Sequence, residues 1–408
     1  MKLWNKNFFL LWQGQLVSVF GDALYSMALG FWVLQETGST AIMGSIMALV
    51  TIPRIILGPF AGVIVDKSDR KKLIVLGDIV RGVSMLLLAF AAIGGFLKVW
   101  MVMLMGIILG ICSSFFNPSI QSVLPELVPK EKLIKANSSY QMATTGADII
   151  GQSIGGFVYT ILGAPLMFLI NGISYLFSAF TEGFIQIPKI ERKNINVTFK
   201  EDFMDGLRFI LKFKGLVRSL IMAFFINFLF GMIRVLIIPW FLSDPSLGMT
   251  KYGLLSGFQS FGFLIGTLIL SFININPNHK YKIYLSSIFI FMSFIGLGAF
   301  MNNFIVIILC FTVAFAFMFI FNTMANSTIM LVTPSDKRGK VFATIGTLAM
   351  AISPIGNFVG GVLGEFMNPR TLIISSTLLG IIIICSIVVN KDVKKFLNYI
   401  PEETNNNC

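Results

Sequence analysis

A few charged side chains interrupt the long apolar runs of this sequence. Asp22 and Asp148 lie near the centres of two runs, and Arg54 lies inside a third. An ionised side chain at the centre of a bilayer is costly, so each of these residues calls for a partner or a function. A carboxyl in such surroundings can bind and release a proton. The pattern therefore indicates proton transfer, with Asp22 as the first candidate carrier and Asp148 as the second.

Structural explanations compete with this interpretation. Asp22 has no cation three or four residues away, but it could form a permanent bridge to Arg54 across helices. One pair could also do both, because protonating Asp22 would release Arg54. Asp148 could instead be a structural hydrogen-bond partner. Asp78 and Arg81 are three residues apart, a spacing that favours a local helix salt bridge.

The remaining acidic residues and the histidine suggest no further site. Glu182 and Glu365 lie near the ends of apolar runs, where interfacial water would make their charges inexpensive. His279, the one histidine, lies in an Asn-rich loop. We assign these three residues no role.

The sequence contains no pattern typical of an enzyme. It has no phosphate-binding glycine loop and no paired metal-ligand motif, and its four cysteines, Cys112, Cys310, Cys385 and Cys408, are far apart. We therefore expect no catalytic activity, no metal and no cofactor. Without a nucleotide site, ATP cannot drive the protein directly.

The composition indicates a membrane protein. Hydrophobic residues make up 56% of the 408 residues and charged residues only 12%, about half the charged share of a typical soluble domain. A span needs roughly 20 mostly apolar residues, and the backbone in lipid must be helical. Twelve predicted spans lie at 8–34, 41–65, 73–97, 99–116, 137–162, 166–186, 218–240, 251–273, 281–300, 304–322, 341–364 and 371–390.

The net charge of +12 follows the predicted loops and does not indicate a nucleic-acid partner. Short loops rich in Lys and Arg stay in the cytoplasm. One set of alternating loops and both tails carry most of the basic residues, whereas the other side carries only Lys98, Lys251 and Arg370. This bias predicts cytoplasmic termini and a multi-pass protein of the cell membrane; the Asn-, Ile- and Lys-rich tail favours a bacterial origin.

The chain divides into two halves. We predict an N-terminal six-helix bundle over 1–187, a cytoplasmic linker over 188–217, a C-terminal bundle over 218–390 and a cytoplasmic tail over 391–408. In the linker, Phe203, Leu207, Ile210 and Leu211 share one face at helical spacing. This pattern fits a helix lying at the membrane interface, and a solvated linker helix remains an alternative.

An internal repeat supports this division. At an offset of about 205 residues, Pro129 falls on Pro334, Lys132 on Lys337, and GQSIGG on GNFVGG. Two related bundles of six spans are typical of a transporter whose substrate site lies between the halves. The repeated glycines form small faces that let helices approach closely, either as pivots or as static packing. They are Gly151, Gly155, Gly156, Gly356, Gly360 and Gly361.

The segment GVIVDKSDRKK after the second span resembles the loop signature of the major facilitator superfamily. That resemblance implies the fold of two pseudo-symmetric six-helix bundles, with alternating access to one site. It also implies that Gly62, Asp66, Arg70 and Lys71 form a conformational latch. A simple basic membrane anchor would explain Arg70 and Lys71 but not Gly62 and Asp66.

More narrowly, stretches such as FFLLWQGQLVSVFGD and NPSIQSVLPELVPKEKLIKANS resemble the macrolide-efflux-like drug:proton antiporters. The resemblance implies export of hydrophobic or amphipathic compounds, of macrolide or multidrug type, by proton antiport, and hence antibiotic resistance. Alternatives are export of an endogenous metabolite such as a siderophore or peptide, and a non-transporting sensor or scaffold. The expected partners are a small amphipathic molecule, protons and the lipid bilayer, and we expect a monomer.

Polar residues within the spans could line a cavity for such a molecule. Most of the 41 Phe and 21 Met residues face lipid or other helices, but the rest would give the cavity an aromatic, polarisable wall. The predicted cavity residues are Gln13, Gln15, Tyr25, Tyr140, Gln141, Gln152, Asn227, Arg234, Gln259 and Asn357.

Overall fold

The computed structural model describes residues 3–187, 199–273, 275–334, 337–388 and 391–399. These residues are mostly helical, and no strand occurs among them. The helices are, in chain order, α1 Lys6–Thr37, α2 Thr40–Lys67, α3 Arg70–Ile93, α4 Val99–Leu127, α5 Leu133–Glu182, α6 Phe199–Leu211, α7 Lys214–Ser243, α8 Gly248–Phe272, α9 Lys280–Phe300, α10 Phe304–Val332, α11 Arg338–Ala351, α12 Ser353–Phe366, α13 Pro369–Val388 and α14 Lys391–Leu397.

The 50-residue helix α5 contains two spans. Gly163 has φ 69° and ψ 174°, a left-handed backbone conformation that glycine adopts without a Cβ penalty, and Pro165 follows it. We call the segments on either side of this break α5a (133–162) and α5b (164–182). The break falls between the predicted spans 137–162 and 166–186.

The apolar helices agree with the predicted number of spans. Within the described parts of the chain, eleven helical stretches are long and apolar enough to cross a membrane, with α11 and α12 counted as one and α5 as one. Because α5 contains two spans, the total becomes twelve.

Two helices run past their predicted ends. We expected spans to end at 116 and 322, but α4 continues to Leu127 and α10 to Val332. In α4, Ile120, Val123 and Leu127 are buried in a cluster with Phe8 and Leu11 of α1. Packing against α1 therefore stabilises a helical stretch whose polar sequence and two prolines indicated a loop.

The helix bounds reproduce the internal repeat. Helices α4 and α10 both have 29 residues, and both ends of α10 lie 205 positions after those of α4. The start of α11 at Arg338 lies the same distance after the start of α5 at Leu133. The repeat found in the sequence is thus a repeat of structure.

The chain forms two compact units. Unit 1 comprises Met1–Ile195 together with Arg234–Ser260 and Asn357–Pro369. In it α1 packs along both arms of α5, α3 packs against α5, and α2 packs against α4. The N-terminal bundle predicted over 1–187 therefore also contacts segments from the second half of the sequence.

Unit 2 comprises Asn196–Ile233, Phe261–Gly356 and Arg370–Cys408. Its interior holds an aromatic group in which the Phe291 ring lies 5.8 Å from that of Phe230 and 6.2 Å from that of Phe315. Helix α6 packs against α11, and Lys340 Nζ lies 3.3 Å from Asp205 Oδ2. The amphipathic linker helix is therefore attached to this unit.

Helices occur in the described parts of the predicted linker and tail. Helix α7 starts at Lys214, inside the predicted linker 188–217, and residues 188–198 lie outside the described part of the chain. In the predicted tail 391–408, Val393 and Leu397 of α14 are buried, and Asp392 forms an ion pair with Arg218.

Candidate transport site

Unit 1 contains a cavity of about 830 Å³. Helices α1 to α5 all contribute to its wall. Polar and charged side chains alternate there with apolar ones, which suits a ligand with both characters. The wall consists of Gln15, Ser18, Val19, Asp22, Arg54, Arg81, Ser113, Phe116, Asn117, Ile120, Gln121, Leu124, Pro125, Leu133, Ile134, Asn137, Tyr140, Gln141 and Thr144.

Asp22 lies in this wall, where α1 meets α5b. Its carboxylate accepts a hydrogen bond from the Tyr175 hydroxyl and a longer one, 3.4 Å, from Asn171 Nδ2. The neighbouring Gly21 makes this approach possible, because a Cβ there would lie 2.4 Å from Ser174 Oγ. Asp22 is half-buried, so its carboxylate remains accessible from the cavity.

Arg54 lines the same cavity from α2. Its Nη2 donates to Ser113 Oγ at 3.1 Å. Asp22 and Arg54 do not form an ion pair within 4.0 Å among the described contacts. The permanent bridge that we considered is therefore not present in this conformation, and each residue has its own hydrogen-bond partner.

Asp78 and Arg81 form the predicted local salt bridge on α3. Asp78 is fully buried and Arg81 nearly so. The Arg81 guanidinium lies 3.9 Å from the centroid of the Phe116 ring and 4.5 Å from that of Tyr175. Tyr175 thus joins Arg81 to Asp22 through its two ends.

Glu182 is the functional candidate that the sequence analysis missed. We placed it at a solvated span end, but it is completely buried. Gln15 Nε2 donates to Glu182 Oε1 at 2.9 Å, and the Tyr140 hydroxyl donates to Gln15 Oε1 at 3.4 Å. The burial arises because α1 presents Gly14, whose missing side chain leaves room for Glu182. A contact between a glycine and an acidic residue that lie far apart in the sequence cannot be predicted from the residue spacing in either segment.

The second proton candidate, Asp148, lies outside this wall. Both of its carboxylate oxygens accept from Gln152 Nε2 at 2.8 Å, one helical turn away in α5a. The side chain is half-buried. This geometry is that of the structural hydrogen-bond partner considered from the sequence.

Three of the ten predicted cavity residues line the cavity: Gln15, Tyr140 and Gln141. Tyr25 is buried, with its ring 5.7 Å from that of Phe168, and Asn227 donates to the Ala223 carbonyl of its own helix at 2.8 Å. The other predicted cavity residues, also absent from the wall, are Gln13, Gln152, Arg234, Gln259 and Asn357.

The predicted latch is described only in part. Arg70 Nη1 donates to the Ser122 carbonyl at 3.1 Å and forms an ion pair with Glu126 of α4. Lys71 is half-buried. Gly62 and Asp66 belong to α2, but the packing around Gly62 and the side chain of Asp66 lie outside the described part of the structure. Nothing in the spacing of the two segments indicated that Glu126 would be a partner of Arg70.

The repeated glycines lie at helix contacts. A Cβ at Gly151 would lie 2.6 Å from Ala23 Cβ, and one at Gly155 would lie 2.9 Å from Met27 Cγ. These two residues bring α5a against α1. In unit 2, a Cβ at Gly356 would lie 2.2 Å from the Phe228 carbonyl oxygen. Gly360 is buried.

Gly156 and Gly361 make equivalent contacts within unit 1, at the end of the bundle away from the amino terminus. A Cβ at Gly156 would lie 2.0 Å from the Met249 carbonyl oxygen of α8, and one at Gly361 would lie 2.5 Å from the Thr40 carbonyl oxygen of α2. Gly361 also faces Gly44, which the repeat offset places on Met249. Each half thus contributes one glycine-bearing helix to a backbone contact with the other half.

Residues 11–357 match the family model described as Major Facilitator Superfamily. The chain belongs to this superfamily. Membership means that the protein is a membrane transporter with the twelve-span fold and not an enzyme. Both conclusions agree with the sequence analysis.

Curated relatives include Macrolide efflux protein A from Streptococcus pyogenes, which is 24% identical over 397 residues and covers 95% of each chain. Putative bacilysin exporter BacE from Bacillus subtilis (strain 168) is 29% identical over 290 residues, covering 68% of this chain and 69% of the relative. These proteins are similar to this chain at low identity.

Solved structures share the fold. The bacterial homologue of iron transporter ferroportin in its inward-facing state has a TM-score of 0.73 at 16% identity, covering 94% of this chain and 98% of that one. The nucleoside transporter NupG has a TM-score of 0.76 at 12% identity, covering 95% and 99%.

Proposed function

We propose that this transporter exports hydrophobic or amphipathic compounds from the bacterial cytoplasm in exchange for protons. The observation that carries the proposal is the placement of Asp22, which is half-buried, hydrogen-bonded to Tyr175 and exposed to the cavity. A carboxyl that meets both the cavity and a buried network can exchange a proton as the ligand enters or leaves.

The cavity supports a ligand of mixed character. Its volume of about 830 Å³ falls within the range of roughly 300–1,000 Å³ typical of small-molecule sites. Phe116 and Ile120 offer apolar contacts, while Asn117, Gln121 and Asn137 offer hydrogen bonds. The name of the macrolide efflux relative favours a bulky amphipathic compound of that type.

Alternating access would use the glycine contacts of unit 1. Gly156 against α8 and Gly361 against α2 close the bundle at the end away from the amino terminus. If the basic loops hold both termini in the cytoplasm, that end faces outward. Release of an exported compound then requires these two contacts to separate.

A second candidate is export of an endogenous peptide or other metabolite. The similarity to a putative bacilysin exporter favours it. The amides and guanidiniums of the cavity wall would suit the carboxylate and peptide groups of such a molecule. We rank it second because the macrolide efflux relative matches nearly the whole length of the chain.

The test is efflux of a panel of amphipathic drugs, macrolides included, from cells that express the protein. We expect cells that express the protein to accumulate less drug than cells without it. An uncoupler, or the variant Asp22→Asn, should return accumulation to the level of cells without the protein. Glu36→Gln is the matched control, because Glu36 is exposed on the same helix and is not part of the cavity wall. Efflux that an uncoupler leaves unchanged would refute proton coupling. If no drug in the panel shows altered accumulation, the metabolite exporter is favoured.

A further inference from the structure

A second acidic site lies behind the cavity wall, between α3 and α5b. Asp78 and Glu182 are both completely buried. Ser178 Oγ and Glu182 Oε1 border the same space beside Gly14, where a Cβ would lie 2.9 Å from the first and 3.2 Å from the second, and the Asp78 side chain is their neighbour. Even so, Asp78 Oδ2, Glu182 Oε2 and Ser178 Oγ have no hydrogen bond of good geometry. The Ser178 hydroxyl is the one donor in this group and can serve only one of the two carboxylate oxygens, so a second donor is needed to satisfy the other.

One proton would satisfy this group. Two neighbouring carboxylates cannot both be ionised in a site that excludes water, whereas a carboxyl and a carboxylate can share a hydrogen bond. Arg81 forms an ion pair with Asp78 through Oδ1, so Asp78 already has its countercharge. Glu182 accepts from the neutral amide of Gln15 and has no cation of its own among the described ion pairs.

The charge balance of the surroundings gives the same answer. The ionisable groups around Asp78 and Glu182 are Asp22 of α1, Arg81 of α3, Cys112 of α4, and Tyr140 and Tyr175 of α5; Arg54 of α2 belongs to the same group because it faces Asp22. With the thiol and phenols neutral, three carboxylates face two guanidiniums. One bound proton makes the group neutral, and an uncompensated charge within a membrane is costly.

Gln15 connects the pair to the cavity. It lines the cavity, accepts from Tyr140 and donates to Glu182. If its side chain rotates, cavity water reaches Glu182 without any movement of α3. Helix α1, which carries Gln15, also carries Asp22, so a shift of α1 would alter both acidic sites.

We propose that Asp78 and Glu182 share one proton and form a proton-binding site distinct from Asp22, with Gln15 controlling its access to the cavity. Its role in transport rests on the proposed proton antiport, whereas the protonation itself does not. The expected consequence is a protonated carboxyl present in the resting protein, independent of any transported compound.

The test is infrared spectroscopy of the purified full chain in lipid nanodiscs at neutral pH, with no ligand added. We expect absorbance from a protonated carboxyl that shifts in heavy water. Glu182→Gln should remove the absorbance of one carboxyl per chain, because Asp78 is then left as the ionised partner of Arg81. Glu365→Gln is the control, since Glu365 is exposed and accepts from Ser39.

Absence of a protonated carboxyl in the wild type would overturn the proposal. Loss of the absorbance in Asp22→Asn, with retention in Glu182→Gln, would place the proton on Asp22 and also overturn it. If Glu182→Gln does not fold, Ser178→Ala serves instead, because removing the adjacent hydroxyl should shift the band; an unshifted band would then contradict the shared proton. None of these outcomes depends on efflux, so the proposed function stands or falls separately.

Discussion

The Tyr175 hydroxyl on α5b donates a hydrogen bond to the Asp22 carboxylate on α1. The ring of the same tyrosine lies 4.5 Å from the Arg81 guanidinium, and Arg81 is paired with Asp78. One side chain therefore connects the cavity-facing carboxylate to the buried charges of α3. A change of protonation at Asp22 would reach α3 and α5b through this residue.

We expect Tyr175→Phe to separate the two functions of this side chain. The ring contact with Arg81 would remain, but Asp22 would lose its main donor. A hydrogen bond to a charged group contributes roughly 1.5–3 kcal/mol, so the melting temperature of the purified protein should fall and efflux should weaken. Thermal unfolding in detergent and drug accumulation in cells measure the two effects.

Tyr159→Phe is the matched control. The Tyr159 hydroxyl donates to Gln35 Oε1 at 2.6 Å, and neither residue lines the cavity. This variant should lose stability to a comparable or smaller degree while retaining efflux. Equal loss of efflux in both variants would show that Tyr175 acts only through stability.

The glycine contacts predict a position-dependent effect of alanine in a single helix. At Gly156 the added Cβ would lie 2.0 Å from the Met249 carbonyl oxygen, whereas at Gly146 it would meet nothing within 4 Å. Gly156→Ala should therefore destabilise the protein, whereas Gly146→Ala should be neutral or stabilising by up to about 1 kcal/mol, because alanine is the better helix former. Thermal unfolding of the two variants provides the comparison.

The structural repeat extends this prediction to the second half. Gly361→Ala should act as Gly156→Ala does, and Gly346→Ala should act as Gly146→Ala does, because no atom lies within 4 Å of a Cβ at Gly346. If the contacts are also pivots, Gly156→Ala and Gly361→Ala should reduce efflux by more than their loss of stability explains. Normal efflux in both would favour static packing.

A third prediction concerns the start of α2. Ser39 is its N-cap residue: its hydroxyl accepts from Ile42 N at 3.1 Å and donates to the Glu365 carboxylate of α12. Ser39→Ala removes both bonds, and loss of an N-cap costs roughly 0.5–2 kcal/mol. Glu365→Gln keeps the cap and should cost less. A melting temperature lowered further by Glu365→Gln than by Ser39→Ala would contradict this order.

The sequence predicted the architecture well because its signals are local or repeated. Apolar runs of sufficient length predict helices, and the offset between GQSIGG and GNFVGG predicts the duplication that the bounds of α4 and α10 display. Both signals can be recognised in the sequence without knowing which helices pack together. The Asp78–Arg81 pair was predictable for the same reason, since its spacing lies within one helical turn.

The site was predicted less completely because it depends on contacts between helices. Asp22 was found from its position in an apolar run, but its partners Tyr175 and Asn171 are about 150 residues away. Glu182 was misjudged because its position near a span end indicated exposure to solvent, whereas Gly14 and Gln15 of α1 cover it. Neither contact leaves a trace in local spacing.

The last prediction concerns the predicted latch, where the structure supplies a partner. The side chains of Arg70 and Glu126 are 11% and 12% exposed. They form an ion pair that joins the start of α3 to the end of α4. Removing one member of a largely buried pair weakens the charge compensation of the other, and the cost reaches roughly 3–5 kcal/mol only when burial is complete and no second partner is present. We expect Glu126→Gln to lower the melting temperature and slow efflux, while Lys72→Gln, at an exposed position on the same helix as Arg70, changes neither.

The double charge reversal, with Arg70→Glu and Glu126→Arg combined, should recover part of the stability lost by Glu126→Gln, because the pair is reformed. A latch requires more: efflux should stay slow in a variant whose stability has recovered, because position 70 would then carry a carboxylate in place of the basic residue of the predicted latch. Full recovery of efflux together with stability would reduce the pair to a structural tie between α3 and α4.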